Sequence, residues 1–290
     1  MKNHIFRLTI AAITAILLAA CVSDSTPAAE SQATTPPSVE PGNPTTAEPT
    51  DSAAAPTEAA TGDQSGQPAK LSTQGEDVIV TSGGKDYTGY LAAPDQGGPY
   101  PGIVLIHSIR GLEEGYRTMT DHFAAEGFVV LAIGWQTFER QPPDDVVEQL
   151  TRDSITFLTA RGDVDTSRLG LTGFCAGGRY TMLLLPKIKE FNAGVAWYGF
   201  PYSGSTQPAS LIGDLDAPML IIHGTADEAS PIADINRYAD ELKAAGKSYE
   251  LKVYEGEPHG FMLVDGQLRA DDVANDAFGQ MIRYFKENLG

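Results

Sequence analysis

The chain has 290 residues, 42% of them hydrophobic, and a formal net charge of −18; its two cysteines exclude a disulfide-built scaffold and a cysteine-rich zinc module. Lys2 and Arg7 are the charges before Cys21, and residues 21–70 carry seven acidic residues against Lys70, which leaves −14 for the remainder. A body so acidic excludes general nucleic-acid binding, which needs a cationic footprint, and leaves a small-molecule ligand as the partner to look for.

Residues 1–7 are short and basic, and residues 8–20 form an uncharged, mostly apolar run. That run is too short for a membrane span but fits the core of a secretory signal. It ends in Leu18-Ala19-Ala20-Cys21, which resembles the lipobox of bacterial lipoproteins. The resemblance implies cleavage after residue 20, lipid on Cys21, and an extracytoplasmic protein anchored to a bacterial membrane. From Val22 to Lys70 the large apolar residues are Val22 and Val39, and there is no aromatic residue. Such a segment cannot bury enough surface to offset its ordering entropy, and its prolines favour an extended tether. Three parts are therefore expected: a signal at 1–20, a tether at 21–70 and a globular domain at 71–290. With Cys21 lipidated, Cys175 is the remaining thiol and no internal disulfide is expected.

The globular part opens with a hairpin, since residues 76–81 and 87–92 alternate across Ser82-Gly83-Gly84-Lys85. After Pro101 the strands read as continuous apolar runs, at 102–107, 128–133, 169–172, 193–197, 219–222 and 249–253. Unbroken runs are what strands buried on both faces require. Helical patterns lie between them at 116–126, 144–160, 176–185 and 233–245. A last helix at 272–288 places Ala277, Phe278, Met281, Ile282 and Phe285 on one face. Strands alternating with helices predict an α/β fold, a mostly parallel sheet with helices on both faces, whose ligands bind at the carboxyl ends of the strands.

Three of those strand ends carry chemistry. The segment Gly173-Phe174-Cys175-Ala176-Gly177-Gly178 follows a strand and opens a helix, the form of a nucleophile elbow with Cys in place of Ser. The tight turn demands small neighbours at positions 173 and 177. The helix start favours an anion at Cys175, and the backbone N–H of Ala176 points to where an oxyanion would form. The second end, His223-Gly224-Thr225-Ala226-Asp227, offers a carboxylate to orient an imidazole, or a turn-capping Asp. The third, Pro258-His259-Gly260-Phe261, places a histidine in a loop. The order nucleophile, acid, histidine is that of α/β-hydrolases. Of the other histidines, His107 and His223 end strands and read as supports, His122 lies on a helix surface, and no pair has metal-ligand spacing.

Taken with His107-Ser108-Ile109-Arg110-Gly111-Leu112, these motifs resemble the dienelactone hydrolase family over about residues 78–289. The resemblance implies the α/β-hydrolase fold and Cys175 as nucleophile, His259 as base and acid, and Asp227 as its orienter. It further implies an oxyanion hole from the N–H groups of Ile109 and Ala176, and cofactor-independent cleavage of lactones or activated esters through a thioester. It implies no oligomeric state. Ser108 stands where family members often carry Glu, which leaves activation of Cys175 to His259 and the helix end. Ser108, Arg110, Trp135 and Tyr198 are candidate pocket residues, the last two equally well core aromatics. Arg110, Arg140 and Arg179 are candidate partners for a substrate carboxylate or simply structural. A tethered binding domain without turnover is the alternative use of the same fold.

Overall fold

The computed structural model describes residues 73–290. The expected signal at 1–20, the lipid-bearing Cys21 and the tether at 21–70 lie outside the described residues. Strand β1 (Thr73–Ser82) and β2 (Lys85–Pro94) pair antiparallel across Gly83 and Gly84, whose φ values of 55° and 75° are ones that glycine reaches without a Cβ penalty. Then follow β3 (Tyr100–Ile106), α1 (Glu114–Ala124), β4 (Val129–Ile133), α2 (Asp144–Thr159), β5 (Val164–Phe174) and α3 (Ala176–Leu184). The chain continues through β6 (Ala193–Trp197), a 3₁₀ turn (Pro208–Asp214), β7 (Met219–Gly224), α4 (Ile232–Ala244) and β8 (Tyr249–Tyr254). It ends with a short hairpin of β9 (Leu263–Val264) and β10 (Gln267–Leu268), and α5 (Asp272–Leu289).

Eight strands form one sheet in the order β1-β2-β4-β3-β5-β6-β7-β8. β2 runs antiparallel to β4, and all pairings from β4 to β8 are parallel. The apolar runs of the inner strands follow from burial on both faces; the expected run at 249–253 does not, since β8 is the edge strand, carries Glu250 and Lys252, and has no fully buried residue. Along β3, Ile103 and Leu105 pack toward α1 and α5 among Met119, Phe123, Met281 and Phe285. Val104 and Ile106 point the other way, toward the layer of α2, α3 and α4 with Leu150, Leu183 and Tyr238. Each such side chain, fully removed from water, contributes about 1.5–3 kcal/mol of transfer free energy.

Two further departures from the sequence expectation have local causes. β5 begins five residues before the apolar run at 169–172, because the register slips between Pro101 and Gly102. The extra residues 166–168 form a polar bulge, in which Asp165 accepts from the Ser167 N–H and from Arg168. The β9–β10 hairpin is too short to show a period, and its strands meet across Asp265 and Gly266 at positive φ. Because β3 and β5 to β8 run parallel, their carboxyl ends all open on one edge of the sheet, and the candidate chemistry gathers there.

Candidate active site

Cys175 follows β5 directly and precedes α3. Its backbone sits at φ 58°, ψ −112°, a conformation that a side-chain-bearing residue holds only when its surroundings impose it. The surroundings are backbone. The Cys175 N–H donates to the Trp197 carbonyl at 3.1 Å, and the Cys175 carbonyl accepts from Arg179 N–H at 3.0 Å. A Cβ on Gly173 would meet the Gly177 carbonyl, one on Gly177 the Ile106 carbonyl, and one on Gly178 the Trp197 carbonyl. The elbow is thus packed main chain against main chain, and the thiol is left half-buried at the sheet edge.

Asp227 lies in the turn after β7 and is buried. Its Oδ1 accepts from the N–H groups of Ala229 (2.9 Å) and Ser230 (2.7 Å), and its Oδ2 faces His259 Nδ1 at 2.8 Å. Burial alone would raise the carboxyl pKa; the hydrogen bonds from His259 and Ser230 outweigh it and hold the group below the usual carboxylate range. For His259, burial works against the charged form, but Asp227 and then the Cys175 side chain more than offset it, and the imidazole is pushed up to about 9. Its Nε2 is sealed from solvent and makes no hydrogen bond to any described residue. Cys175 lies close enough to the ring to raise its pKa, behind Asp227 in effect.

Behind this pair stands a second histidine. His223 is fully buried, and its Nε2 lies 2.8 Å from the Ser230 carbonyl and 3.5 Å from Asp227 Oδ2. A carbonyl only accepts, so Nε2 carries the hydrogen. Burial holds this imidazole below its ordinary pKa, hence neutral, and it ties down the turn that presents Asp227.

Cys175 and His259 line one cavity of about 210 Å³, together with Ser108, Ile109, Arg110, Glu113, Tyr116, Tyr198, Gly260 and Leu263. Tyr198 is held at φ 35° by its N–H bond to Ile222 O, and its ring meets His259 edge to face at 5.2 Å. Ser108 is buried, and its Oγ accepts from Arg110 N–H at 3.2 Å. Among the described residues, the backbone N–H groups of Ile109 and Ala176 have no hydrogen-bond acceptor, so both remain available to an oxyanion.

The other candidates separate. Trp135 does not line this cavity. It stacks on His107 at 5.5 Å, donates Nε1–H to the His107 carbonyl, and faces a neighbouring cavity of about 290 Å³ beside Ala176. Arg179 is spoken for by a bidentate pair with Asp144, both bonds 2.8 Å, and by the carbonyls of Ser203 and Thr206. Arg140 is exposed along an outer groove. Sequence reasoning missed Glu113 and Tyr116, which sit at i and i+3 across the start of α1, right after the His107 loop. That spacing, beside a strand end, was the available signal. Among the described residues no group of three or more His, Cys, Asp or Glu side chains could hold a metal ion, and no helix is long and apolar enough to cross a membrane.

Residues 87–289 match the model of the dienelactone hydrolase family. A Methylorubrum extorquens protein named "Putative carboxymethylenebutenolidase" is 33% identical over 221 residues, 68% of this chain and 76% of that protein. An Escherichia coli K12 protein of the same name is 28% identical over 233 residues, 73% of this chain and 86% of the relative. The crystal structure titled "Putative Dienelactone Hydrolase" from Klebsiella pneumoniae superposes with a TM-score of 0.69 at 25% identity, over 74% of this chain and 99% of that one.

Proposed function

The chain belongs to the dienelactone hydrolase family and is a carboxylic ester or lactone hydrolase of α/β-hydrolase fold; from that premise we propose that Cys175, His259 and Asp227 form its catalytic triad and that turnover passes through a thioester on Cys175. The observation that carries this reading is the elbow. Cys175 is held in a strained conformation at a helix start, on the same cavity as an imidazole whose far nitrogen lies 2.8 Å from a buried carboxylate. A structural cysteine needs neither the strain nor the partners.

In the first half-reaction His259, whose raised pKa favours imidazolium, takes the thiol proton of Cys175, and the sulfur attacks the substrate carbonyl. The tetrahedral oxyanion is stabilised by the N–H groups of Ile109 and Ala176. Collapse breaks the ester C–O bond, and His259 Nε2 gives its proton to the departing oxygen. In the second half-reaction the neutral His259 takes a proton from water, whose oxygen attacks the thioester. Collapse of that second oxyanion releases the acid and returns the thiolate. A thiolate leaves such an intermediate more readily than an alkoxide does, so unactivated esters fall back to substrate. Enol-lactones and activated esters are therefore the substrates this chemistry favours.

The N-terminal part completes the reading: cleavage before Cys21, lipid on its sulfur, and a tether over 21–70 that holds the hydrolase domain of 71–290 off a bacterial membrane. Loss of detergent-phase partitioning in Cys21→Ser checks that part alone. The activity test compares the full chain with Cys175→Ala on 4-nitrophenyl acetate and a set of enol-lactones under reducing conditions. Turnover lost in the variant supports the triad. Turnover that survives the substitution refutes it.

A further inference from the structure

Outside the triad, the cavity over Cys175 carries two formal charges, Arg110 and Glu113. They face each other, Nε to Oε1, at 3.1 Å, and they are not equivalent. The Arg110 side chain is 62% exposed, whereas that of Glu113 is 18% exposed. Glu113 stands at the start of α1, where its carbonyl accepts from Tyr116 N–H at 3.0 Å, and it packs close to Gly266 in the β9–β10 hairpin. The guanidinium is therefore a swinging group at the rim, and the carboxylate is part of the wall.

From this asymmetry, and resting on the hydrolase reading above, we propose that Glu113 makes the site selective for uncharged esters and lactones and against substrates that bear a carboxylate next to the reacting carbonyl. A rim ion pair is worth little, so Arg110 can leave Glu113 at small cost. The Glu113 side chain, 18% exposed and set against Gly266, has less room to move. An incoming carboxylate would thus share one guanidinium with a like charge, in a partly desolvated cavity where like charges repel strongly. No other cation rescues it. Arg179 is saturated by Asp144 and two carbonyls, and Arg140 does not line the cavity over Cys175 but the adjoining outer groove, which Arg110 and Glu113 also line and where Glu139 stands beside it. The wider field of this acidic body has the same sign. The same carboxylate also acts on the product side. Hydrolysis of each thioester creates an acid that ionises in the cavity, and Glu113 favours its departure.

A size-matched pair of substrates tests this on the full chain: methyl 4-nitrophenyl succinate, uncharged, and mono-4-nitrophenyl succinate, an anion. The wild type is expected to favour the uncharged ester in kcat/KM by about tenfold or more at low ionic strength, and salt should shrink the ratio. Glu113→Gln should bring the ratio to about one or below and tighten inhibition by succinate, because Arg110 is released. Arg110→Gln should widen the ratio, and it serves as the second variant if the first folds poorly. A wild-type ratio of one or less overturns the proposal, as does a ratio that neither substitution nor salt moves. Failure to hydrolyse either ester is a different result, which removes the Cys175 reading and this inference with it.

Discussion

The two halves of the candidate triad are held by different physics. The Cys175 elbow is mainly a steric device: Gly173, Gly177 and Gly178 let main chain press on main chain, and one side-chain hydrogen bond joins the clamp, from the Thr181 hydroxyl to the Gly177 carbonyl at 3.0 Å. The Asp227–His259 half is a polar device. Two backbone N–H groups and two imidazoles converge on one buried carboxylate, and the loop that carries His259 is tied to the Asp227 turn by the bonds of Thr225 N–H to Tyr254 O and Ala226 N–H to Glu257 O. Arg269 secures the same loop from outside through Glu257 and Asp271. A steric clamp tolerates no added atom and ignores pH. A hydrogen-bonded clamp tolerates loss of a member by degrees and answers to protons.

The largest effect that sharpens this contrast is Cys175→Ala, expected to lower kcat/KM by about 10⁴-fold with the fold intact. Asp227→Asn follows, with a loss of about 10³-fold, since the imidazole loses its orienter and its cationic form loses support. In the wild type the alkaline limb of the rate profile should lie near pH 9, where His259 gives up its proton. In Asp227→Asn that limb should move down toward the ordinary imidazole range, and a pH–rate profile of both enzymes checks it. Gly177→Ala attacks the steric half. Its methyl would strike the Ile106 carbonyl, main chain at the end of the inner strand β3 with little room to retreat, so a loss of about 4 kcal/mol or failure to fold is expected in urea unfolding.

A smaller effect comes from His107, buried and held down to about pH 4 by desolvation. Its folded pKa lies below its unfolded value, so the unfolded chain binds the proton first. Stability should therefore fall as pH drops from about 6.5 to 4, by on the order of 3 kcal/mol from this group. His259 has the opposite sign. Its stabilisation is complete below pH 6.5 and is lost as pH rises toward 9. Chemical unfolding across that range should show an optimum near neutrality, and an acid limb unchanged in His107→Gln would contradict the assignment. Smallest of all, Arg269→Ala should cost about tenfold in kcat with a smaller change in KM, because it loosens the His259 loop without touching substrate.

This contrast also explains what was legible in the sequence. Sterically built features write themselves into local residue types. The elbow needs Gly at 173 and 177, and doubly covered strands need unbroken apolar runs, so the elbow and the main strands were readable within a residue or a few. Polar construction is not local. Nothing around His223 says that it will face Asp227 rather than merely end a strand. Around Glu113 only its spacing to Tyr116 beside a strand end hints at a cavity whose wall also needs Cys175, Tyr198 and His259 from far along the chain. Arg179 and Trp135 mislead for the same reason, since their partners, Asp144 and the His107 carbonyl, lie 35 and 28 residues off. The polar bulge at 166–168 hid the true start of β5, because its residues obey hydrogen bonds and not a hydrophobic period.

The most direct test of the thioester is to mix the full chain with 4-nitrophenyl acetate, quench in acid within the first turnover, and map the acyl group by intact and peptide mass spectrometry. The account predicts one acetyl group on the peptide that carries Cys175, released by hydroxylamine and absent in Cys175→Ala. Turnover with no acyl enzyme, or an acetyl group on Ser108 in place of Cys175, would contradict it.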